Sequence, residues 1–295
     1  MFVGHGLLAL ALVGLLARWR GMAPERALTL GVVAALFATV PDVDMVYAPI
    51  GLVIGTAAAA PVDAFWTASE VTHRTVTHSA LVAVPAAAAF ALSPVRKGVA
   101  AGLFVGLVAL AAVVSGPLAA TIMALFLVAG AGVAMLAALL GVGPRATGAA
   151  ALIALVSHPV GDVFTGGPPA FLWPLDVPLL TERIAPFADP THDLFLAFGA
   201  ELGAIWAGVL VAAALAGVRL RTHLRPRATA GAAFAVSVIA LPNPTVDAAY
   251  GFVAGILTTG AVGGFRLKDG FVAWVVTGLA AVTIAAVAFA AAYLA

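Results

Sequence analysis

The sequence predicts an all-α, polytopic transmembrane helix bundle of about ten helices, with the N-terminus and the C-terminus both outside. Apolar residues make up 63% of the 295 residues, and only 9% are charged, whereas a soluble domain carries about 25% charged residues. A soluble core does not need that much apolar surface, so much of it must face lipid. The chain is therefore predicted to be a multi-pass protein of the cytoplasmic membrane, with the lipid bilayer as its first partner.

Composition also excludes several kinds of function. The net charge of +1 gives no support for nucleic-acid binding. The absence of cysteine excludes disulfides, iron–sulfur clusters and thiol catalysis. Arg18 and Arg20 follow the first apolar run instead of preceding it, which is the reverse of a cleaved signal peptide. We therefore expect this run to be a retained helix.

The apolar runs give the predicted helices in chain order. They lie at residues 3–17, 27–40, 79–92, 98–114, 117–141, 147–160, 193–217, 228–241, 247–263 and 271–294. Several are shorter than the roughly 20 residues of a simple span, so we expect them to extend into flanking residues, to tilt less or to form half-helices. Residues 48–60 form a further short run, predicted to be re-entrant or interfacial.

The distribution of basic residues predicts the orientation. With the N-terminus outside, 12 of the 14 basic residues fall inside, as the positive-inside rule requires. They are Arg18, Arg20, Arg26, Arg96, Lys97, Arg145, Arg219, Arg221, Arg225, Arg227, Arg266 and Lys268. Arg74 and Arg183 fall outside, together with ten of the 13 acidic residues.

Four polar clusters from distant parts of the chain are predicted to meet at the outer face. His5 begins the first helix. Asp42 and Asp44 follow Pro41, which ends the second helix, and in an extended turn both side chains would point the same way and could face one cation. The alternative for this short segment is a capped loop.

The third cluster is HRTVTHS, from His73 to Ser79. His73 and His78 are five residues apart, so they can share a site only if the stretch before Thr77 is a loop, or if they serve two metals. Thr77 is predicted to cap the helix that begins near His78. Arg74 is on the side where basic residues are rare, which indicates either an anion-binding role or a lipid-headgroup anchor.

The fourth cluster is SHPVGD, from Ser157 to Asp162, in which His158 and Asp162 are one helical turn apart. Pro159 either kinks this helix or starts a new one. Imidazole and carboxylate groups together suit a divalent metal, with zinc expected first and manganese or iron as alternatives. The predicted metal ligands are His5, Asp42, Asp44, His73, His78, His158 and Asp162.

These motifs, in this order, resemble the YdjM family of inner-membrane, metal-dependent hydrolases. The matching residues are Asp42, Asp44, His73, Arg74, Thr77, His78, Ser79, His158, Asp162, Thr165, Gly167 and Pro174, with His5 at the position of an early histidine. The resemblance covers roughly residues 1 to 175. Thr75 departs from it, because the family usually has glycine there. A further likeness is to zinc-dependent phospholipase C and related helical nucleases, whose metals also bind His, Asp and an HxxxD pair.

The resemblance implies hydrolysis at the outer face, and the depth of the site favours a lipid or phosphoester substrate. An unligated carboxylate, Asp44 or Asp42, is the expected general base, and Arg74 is expected to bind an anion. Secondary candidates are Ser79, Thr165 and Glu201, the last because a glutamate in a span is expensive.

Two other kinds of protein remain open at this stage. A transporter would need a polar path through the bilayer, and a non-catalytic membrane protein would use the metal only to pin its loops together. The chain is divided at residue 191 into a hydrolase-like domain, 1–191, and C-terminal helices of unassigned role, 192–295. The loop from Gly166 to Pro190 is either a lid or a rigid cap.

Overall fold

The computed structural model describes residues 2–54, 61–71, 73–241, 243–265 and 269–295, and within these ranges the chain is helical with no strand. The all-α prediction is confirmed. The α-helices are α1 Phe2–Trp19, α2 Pro24–Thr39, α3 Ala48–Ile54, α4 Pro61–Glu70, α5 Ala80–Leu92, α6 Lys97–Leu139, α7 Pro144–Asp162, α8 Pro190–Leu215, α9 Tyr250–Thr259 and α10 Phe271–Leu294. Short 3₁₀ segments join several of them, at Pro41–Tyr47 and Val76–His78 among others.

The helices have the length and composition of a membrane protein. Four stretches are long and apolar enough to cross a bilayer: Pro24–Ile50, Lys97–Leu139, Pro190–Leu215 and Phe271–Leu294. Val3–Trp19, Ala80–Leu92 and Tyr250–Gly264 are shorter apolar helices. The outside location of the two termini stays a prediction. Arg266 and Lys268, which entered that prediction, lie outside the described residues, as do residues 55–60 of the predicted interfacial run.

Helix α6 is a hairpin of two helices, as its two apolar runs predicted. Gly116 has φ +85° and ψ −177° in the middle of it, followed by Pro117, so the helix breaks there. The ring of Phe90 lies 6.1 Å from Phe104 and 5.8 Å from Phe126. On a straight helix those two rings would be about 33 Å apart, so the second half of α6 must fold back on the first.

The chain forms two compact units. The first comprises Met1–Arg183 and Ala207–Leu215, and the second comprises Ile184–Trp206 and Ala216–Ala295. The functional division predicted at residue 191 stays a prediction.

The first unit has a polar end and a basic end. Short turns join α1 to α2, α5 to α6 and α6 to α7, so these neighbours run antiparallel. The start of α1, the end of α2, the start of α5 and the end of α7 therefore lie together at one end, where the four predicted polar clusters are. The turns at residues 20–23, 93–96 and 140–143 lie at the other end, which carries Arg18, Arg20, Arg26, Arg96, Lys97 and Arg145.

The second unit packs α10 against a long 3₁₀ helix, Pro226–Ile239. The sequence predicted a helix there at residues 228–241 without distinguishing its type. A Cβ on Gly231 would collide with the carbonyl of Ala281, so only glycine permits this close approach. Phe252 and Phe289 are buried in the core of this unit, with ring centroids 5.1 Å apart.

Candidate metal centre

The four predicted clusters converge in the first unit. His5 lies on α1, His158 and Asp162 lie at the end of α7, and the remaining members lie on the two 3₁₀ segments and the turn before the second one. Their side chains are within hydrogen-bonding or ion-pair distance of one another. The four clusters therefore converge, as predicted.

His78 and His158 form the centre of this polar cluster. Their Nε2 atoms are 3.0 Å apart, and both residues are fully buried. Asp162 Oδ2 lies 3.4 Å from Nε2 of His78 and 3.5 Å from Nε2 of His158. Asp42 Oδ1 lies 3.9 and 3.4 Å from the same two atoms. Atoms bound about 2.0–2.2 Å from a tetrahedral metal lie roughly 3.3–3.6 Å apart. Three of these five distances fall in that range, and the other two lie about 0.3 Å outside it, so the four atoms are close to the spacing of a metal shell.

Hydrogen bonds on the far side of each imidazole orient it toward this point. His158 Nδ1 lies 2.7 Å from the carbonyl oxygen of Ala38, an acceptor only, so Nδ1 carries the proton and the lone pair of Nε2 is free. His78 Nδ1 lies 2.9 Å from Thr77 Oγ1 and 3.3 Å from Asp44 Oδ2. A carboxylate behind a histidine is the usual outer shell of a metal-binding imidazole.

Asp162 carries an unpaired atom that fits a cation. Its Oδ2 is buried and accepts no hydrogen bond from any residue that the structure describes, although buried carboxylate oxygens are almost always paired. The nearest groups to it are the two Nε2 atoms already described. A positive ion among them would pair all three atoms at once, which a hydrogen bond cannot do.

Asp44 has no exposed surface and holds the second 3₁₀ segment in place. Its Oδ1 lies 2.8 Å from His73 Nδ1, and its Oδ2 accepts hydrogen bonds from Thr77 Oγ1 at 2.8 Å and from the backbone N–H of Arg74 at 3.2 Å. Arg74 has φ +63°, a conformation that a non-glycine residue rarely adopts, so this N–H bond helps to hold a strained turn.

Asp42 and Asp44 do not face the same point, so this part of the prediction is wrong. Residues 41–47 wind as a 3₁₀ helix instead of an extended turn. With three residues per turn, side chains two apart point in directions about 120° apart. Asp42 consequently faces the Nε2 atoms of His78 and His158, and Asp44 faces the Nδ1 side of His78.

Arg74 ties the cluster to the loop after α7. Its NH2 group donates to Asp162 Oδ1 at 3.1 Å and to Thr165 Oγ1 at 2.8 Å. Its NH1 group donates to the carbonyl of Gly167 at 2.8 Å and to the carbonyl of Thr165. These contacts give Arg74 and Thr165 a positioning role, and the anion-binding role of Arg74 stays a prediction.

His5 supports the cluster from α1. Its Nε2 lies 3.2 Å from Asp162 Oδ1, and its ring lies 4.0 Å from that of His158. A Cβ at Gly161 would come within 2.5 Å of the His5 ring, so glycine is needed at that position of α7. Neither Gly161 nor the carbonyl of Ala38 was among the predicted site residues, because a glycine and a backbone oxygen give no side-chain signal in the sequence.

Three overlapping groups of residues could hold a metal ion. They are His5, His158 and Asp162; Asp42, His78 and His158; and Asp44, His73 and His78. Every predicted ligand belongs to at least one of them. Because His158 offers a single free nitrogen, the first two groups compete for it, and the spacing around His78 and His158 favours one central ion.

The titration of His78 follows from the same contacts. His78 lies on a 3₁₀ turn between helices. Burial lowers its pKa, but the Asp162 and Asp44 carboxylates outweigh burial and raise the pKa from 6.5 to about 9. Without a metal, His78 therefore holds a proton at neutral pH, and a bound metal would have to displace it.

The two remaining candidates are Ser79, which has a structural role, and Glu201. Ser79 Oγ accepts from the backbone N–H groups of Leu81 and Val82, so Ser79, and not Thr77 as predicted, caps α5. It also donates to the carbonyl of Trp173 at 2.6 Å. Glu201 belongs to the second unit, whereas every residue of the cluster belongs to the first.

The start of the long loop after α7 is hydrogen-bonded to the segment that carries Arg74 and to α5. The backbone N–H of Ala170 donates to the carbonyl of Arg74, and that of Ala80 donates to the carbonyl of Phe171, each at 2.9 Å. The indole N–H of Trp173 donates to Ser115 Oγ at 3.0 Å. For residues 166–175 these bonds favour the rigid cap over the lid.

Comparison with known proteins gives one match. The family model described as YdjM inner membrane protein matches residues 1–241. The match extends well beyond residue 175, where the resemblance in the sequence motifs was expected to end. No curated protein and no solved structure matches the chain.

Proposed function

The chain belongs to the YdjM inner membrane protein family, and from that premise we propose that it is a metal-dependent hydrolase of the cytoplasmic membrane. The site lies at the extracytoplasmic face, where the positive-inside rule puts the polar end of the first unit. The observation that carries the proposal is the pair of Nε2 atoms of His78 and His158, 3.0 Å apart, with one oxygen of Asp162 and one of Asp42 each 3.4–3.9 Å from both, the Asp162 oxygen being buried and without a hydrogen bond from the described residues.

His78, His158 and Asp162 are the proposed metal ligands. Their three mutual distances are 3.0, 3.4 and 3.5 Å, each measured to an atom that can point at the same ion. Three protein ligands leave a coordination position open, as in catalytic zinc sites. A zinc-type ion held by these residues would supply Lewis-acid chemistry, making a water molecule more acidic near neutral pH and polarising the bond to be broken.

Asp42 is the proposed general base. Its side chain is 13% exposed, whereas those of the three ligands are at most 3% exposed, so Asp42 lies on the side from which water and substrate can arrive. Asp44 was the other candidate, but both of its oxygens accept hydrogen bonds and it has no exposed surface. It acts instead by orienting His73 and His78.

The proposed substrate is a lipid or a lipid-linked phosphoester. The polar cluster lies at the ends of apolar helices, at the depth where headgroups are found. Arg74 donates hydrogen bonds to Asp162 and to carbonyls of the following loop. We propose that it thereby shapes the edge of the site against which the anionic group of the substrate lies.

A non-catalytic metal site is the second candidate, because one observation favours it. Asp42 Oδ1 is close enough to both histidines to complete a closed shell of four protein ligands, which is typical of structural sites. The two candidates differ in what Asp42 does.

The experiment compares wild type with Asp42→Asn, with Asp176→Asn in the outer loop as the control. Metal content is measured by elemental analysis, and turnover is measured on an aryl phosphodiester and on a phospholipid in mixed micelles. If Asp42 is the base, the variant keeps its metal and loses about 10²–10⁴-fold in turnover. Loss of the metal in Asp42→Asn, or wild-type protein that carries metal and hydrolyses neither substrate, would favour the structural site.

A further inference from the structure

Two adjoining cavities lie at the basic end of the first unit. The larger, of about 370 Å³, is lined by residues of the α1–α2 and α6–α7 turns and of α2. The smaller, of about 220 Å³, is lined by α1, α2 and α7. Met22, Leu30 and Ala146 line both, so the two cavities adjoin at these residues and make up one space at this end of the unit. The family assignment gives this space no role.

Three arginines surround the space without a carboxylate partner. Arg26 lines the larger cavity, and Arg20 and Arg145 line the smaller one. All three are exposed, and within the part of the chain that the structure describes none of them forms an ion pair. Glu25, the acidic neighbour of Arg26 in the first turn of α2, is also exposed. The mouth of the space therefore has an excess of positive charge and suits an anion.

The smaller cavity continues from these arginines along apolar helix surfaces. On α1 its lining extends from Arg20 back to Val13, and on α7 it extends from Arg145 on to Ile153. Seven or eight residues of helix correspond to about 10–12 Å. Apart from the two arginines, this lining consists of alanine, valine, leucine, isoleucine and methionine. This apolar slot, with arginines at one end, suits part of a hydrocarbon chain attached to an anionic headgroup.

We propose that this space binds one anionic phospholipid. The phosphate lies among Arg20, Arg26 and Arg145, the headgroup occupies the larger cavity, and one acyl chain lies in the slot between α1 and α7. Basic pockets between membrane helices are known to recognise anionic headgroups in this way. The site is separate from the metal centre, and it does not depend on hydrolysis.

The selectivity of the site must come from charge. An acyl chain gains little by leaving the bilayer for the slot, because lipid tails are as apolar as the residues of the slot. The three arginines therefore provide the selectivity for an anionic lipid, and each contributes on the order of fivefold in affinity. We therefore expect phosphatidylglycerol to bind roughly 100-fold more tightly than phosphatidylcholine.

The experiment measures lipid binding to the full-length protein in detergent by native mass spectrometry, with matched phosphatidylglycerol and phosphatidylcholine. Wild type is compared with Arg20→Gln/Arg26→Gln/Arg145→Gln and with Ala149→Phe, which fills the slot and changes no charge. Arg96→Gln is the control, since Arg96 is exposed at the same end but lines neither cavity. Thermal unfolding of each variant without lipid verifies that it is folded.

The expected result is phosphatidylglycerol selectivity in wild type and Arg96→Gln, loss of selectivity in the triple variant, and weaker binding of both lipids in Ala149→Phe. Equal binding of the two lipids by wild type would overturn the proposal, as would selectivity that survives in the triple variant or is lost equally in Arg96→Gln. A further arm uses glycerophosphoglycerol and inorganic phosphate. If either competes as well as the intact lipid, the site is one for a soluble anion, and the acyl-chain part of the proposal is wrong.

Discussion

The two ends of the first unit differ in whether their charged side chains are buried or exposed. At the polar end, Asp44, Asp162 and His78 are buried, and each of the two carboxylates lies within 3.4 Å of a nitrogen of His78 from a distant part of the chain. At the basic end, Arg20, Arg26 and Arg145 are exposed around two cavities and form no ion pair with any residue that the structure describes. A buried charge is costly unless it is compensated, whereas an exposed one costs almost nothing.

This difference separates two roles for charged groups in a membrane protein. The positive-inside rule would by itself account for the exposed arginines, and the proposed lipid site makes use of them. The buried cluster has no such general explanation, so its cost must be offset by something specific. We infer that this is a metal ion, so changes at the polar end should have larger effects than changes at the basic end.

Removing Asp44 should have the largest effect on stability. Asp44→Ala leaves His73, Thr77 and the N–H of Arg74 without their buried acceptor. Loss of one member of a buried charged network costs about 3–5 kcal/mol. Glu25→Ala at the basic end should change stability by less than about 0.5 kcal/mol. Thermal unfolding in detergent compares the two, and similar losses in both would contradict the contrast.

Raising the pH should strengthen metal binding. In the metal-free protein, the raised pKa of His78 keeps it protonated below about pH 9, and a metal ligand must be neutral. Each ion bound should release one proton, so affinity should rise about tenfold per pH unit from pH 7 to 9, roughly 2.8 kcal/mol in all, and then level off. Titration calorimetry in buffers of different ionisation enthalpy measures the released proton. A flat profile over this range would rule out His78 as a ligand.

Gly161 and Gly148, both on α7, allow the polar end and the basic end to be compared directly. At Gly161 an added Cβ would come within 2.7 Å of His5 Nδ1, and at Gly148 it would lie 3.0 Å from the Cβ of Ala91. Gly161→Ala should displace His5 from Asp162 and weaken metal binding by about 10–100-fold, as outer-shell changes do. Gly148→Ala should leave metal affinity unchanged. If both variants bind metal equally, His5 does not support the site.

The smallest effect should come from the arginines of the basic end. Because they are exposed and unpaired, Arg20→Gln/Arg26→Gln/Arg145→Gln should keep full metal content and change stability by no more than about 0.5 kcal/mol. Elemental analysis and thermal unfolding test this. Loss of metal in this variant would show that the two ends are coupled.

The sequence predicted the parts of the fold that depend on local patterns. Apolar runs located the helices, including both halves of α6, because a span must be apolar along its whole length. The HxxxD spacing placed His158 and Asp162 on one face, because residues four apart on a helix are neighbours, and Pro159 does not interrupt α7.

The orientation of individual side chains was harder to predict from the sequence. Asp42 and Asp44 diverge because residues 41–47 wind as a 3₁₀ helix, and nothing in PDVD distinguishes that winding from an extended turn. Ser79 caps α5 instead of Thr77, since the 3₁₀ turn delays the helix start to Ala80. The bonds from Arg74 to carbonyls of the 165–167 loop depend on tertiary packing, which no motif encodes.

The most direct test of the central claim is the metal content of the purified protein. Elemental analysis of wild type should give about one divalent transition metal ion per chain, His158→Ala should abolish it, and His223→Ala in the second unit should retain it. Wild-type protein that cannot be loaded with stoichiometric metal, or a His158→Ala variant that still holds it, would contradict the claim that these side chains gather to bind an ion.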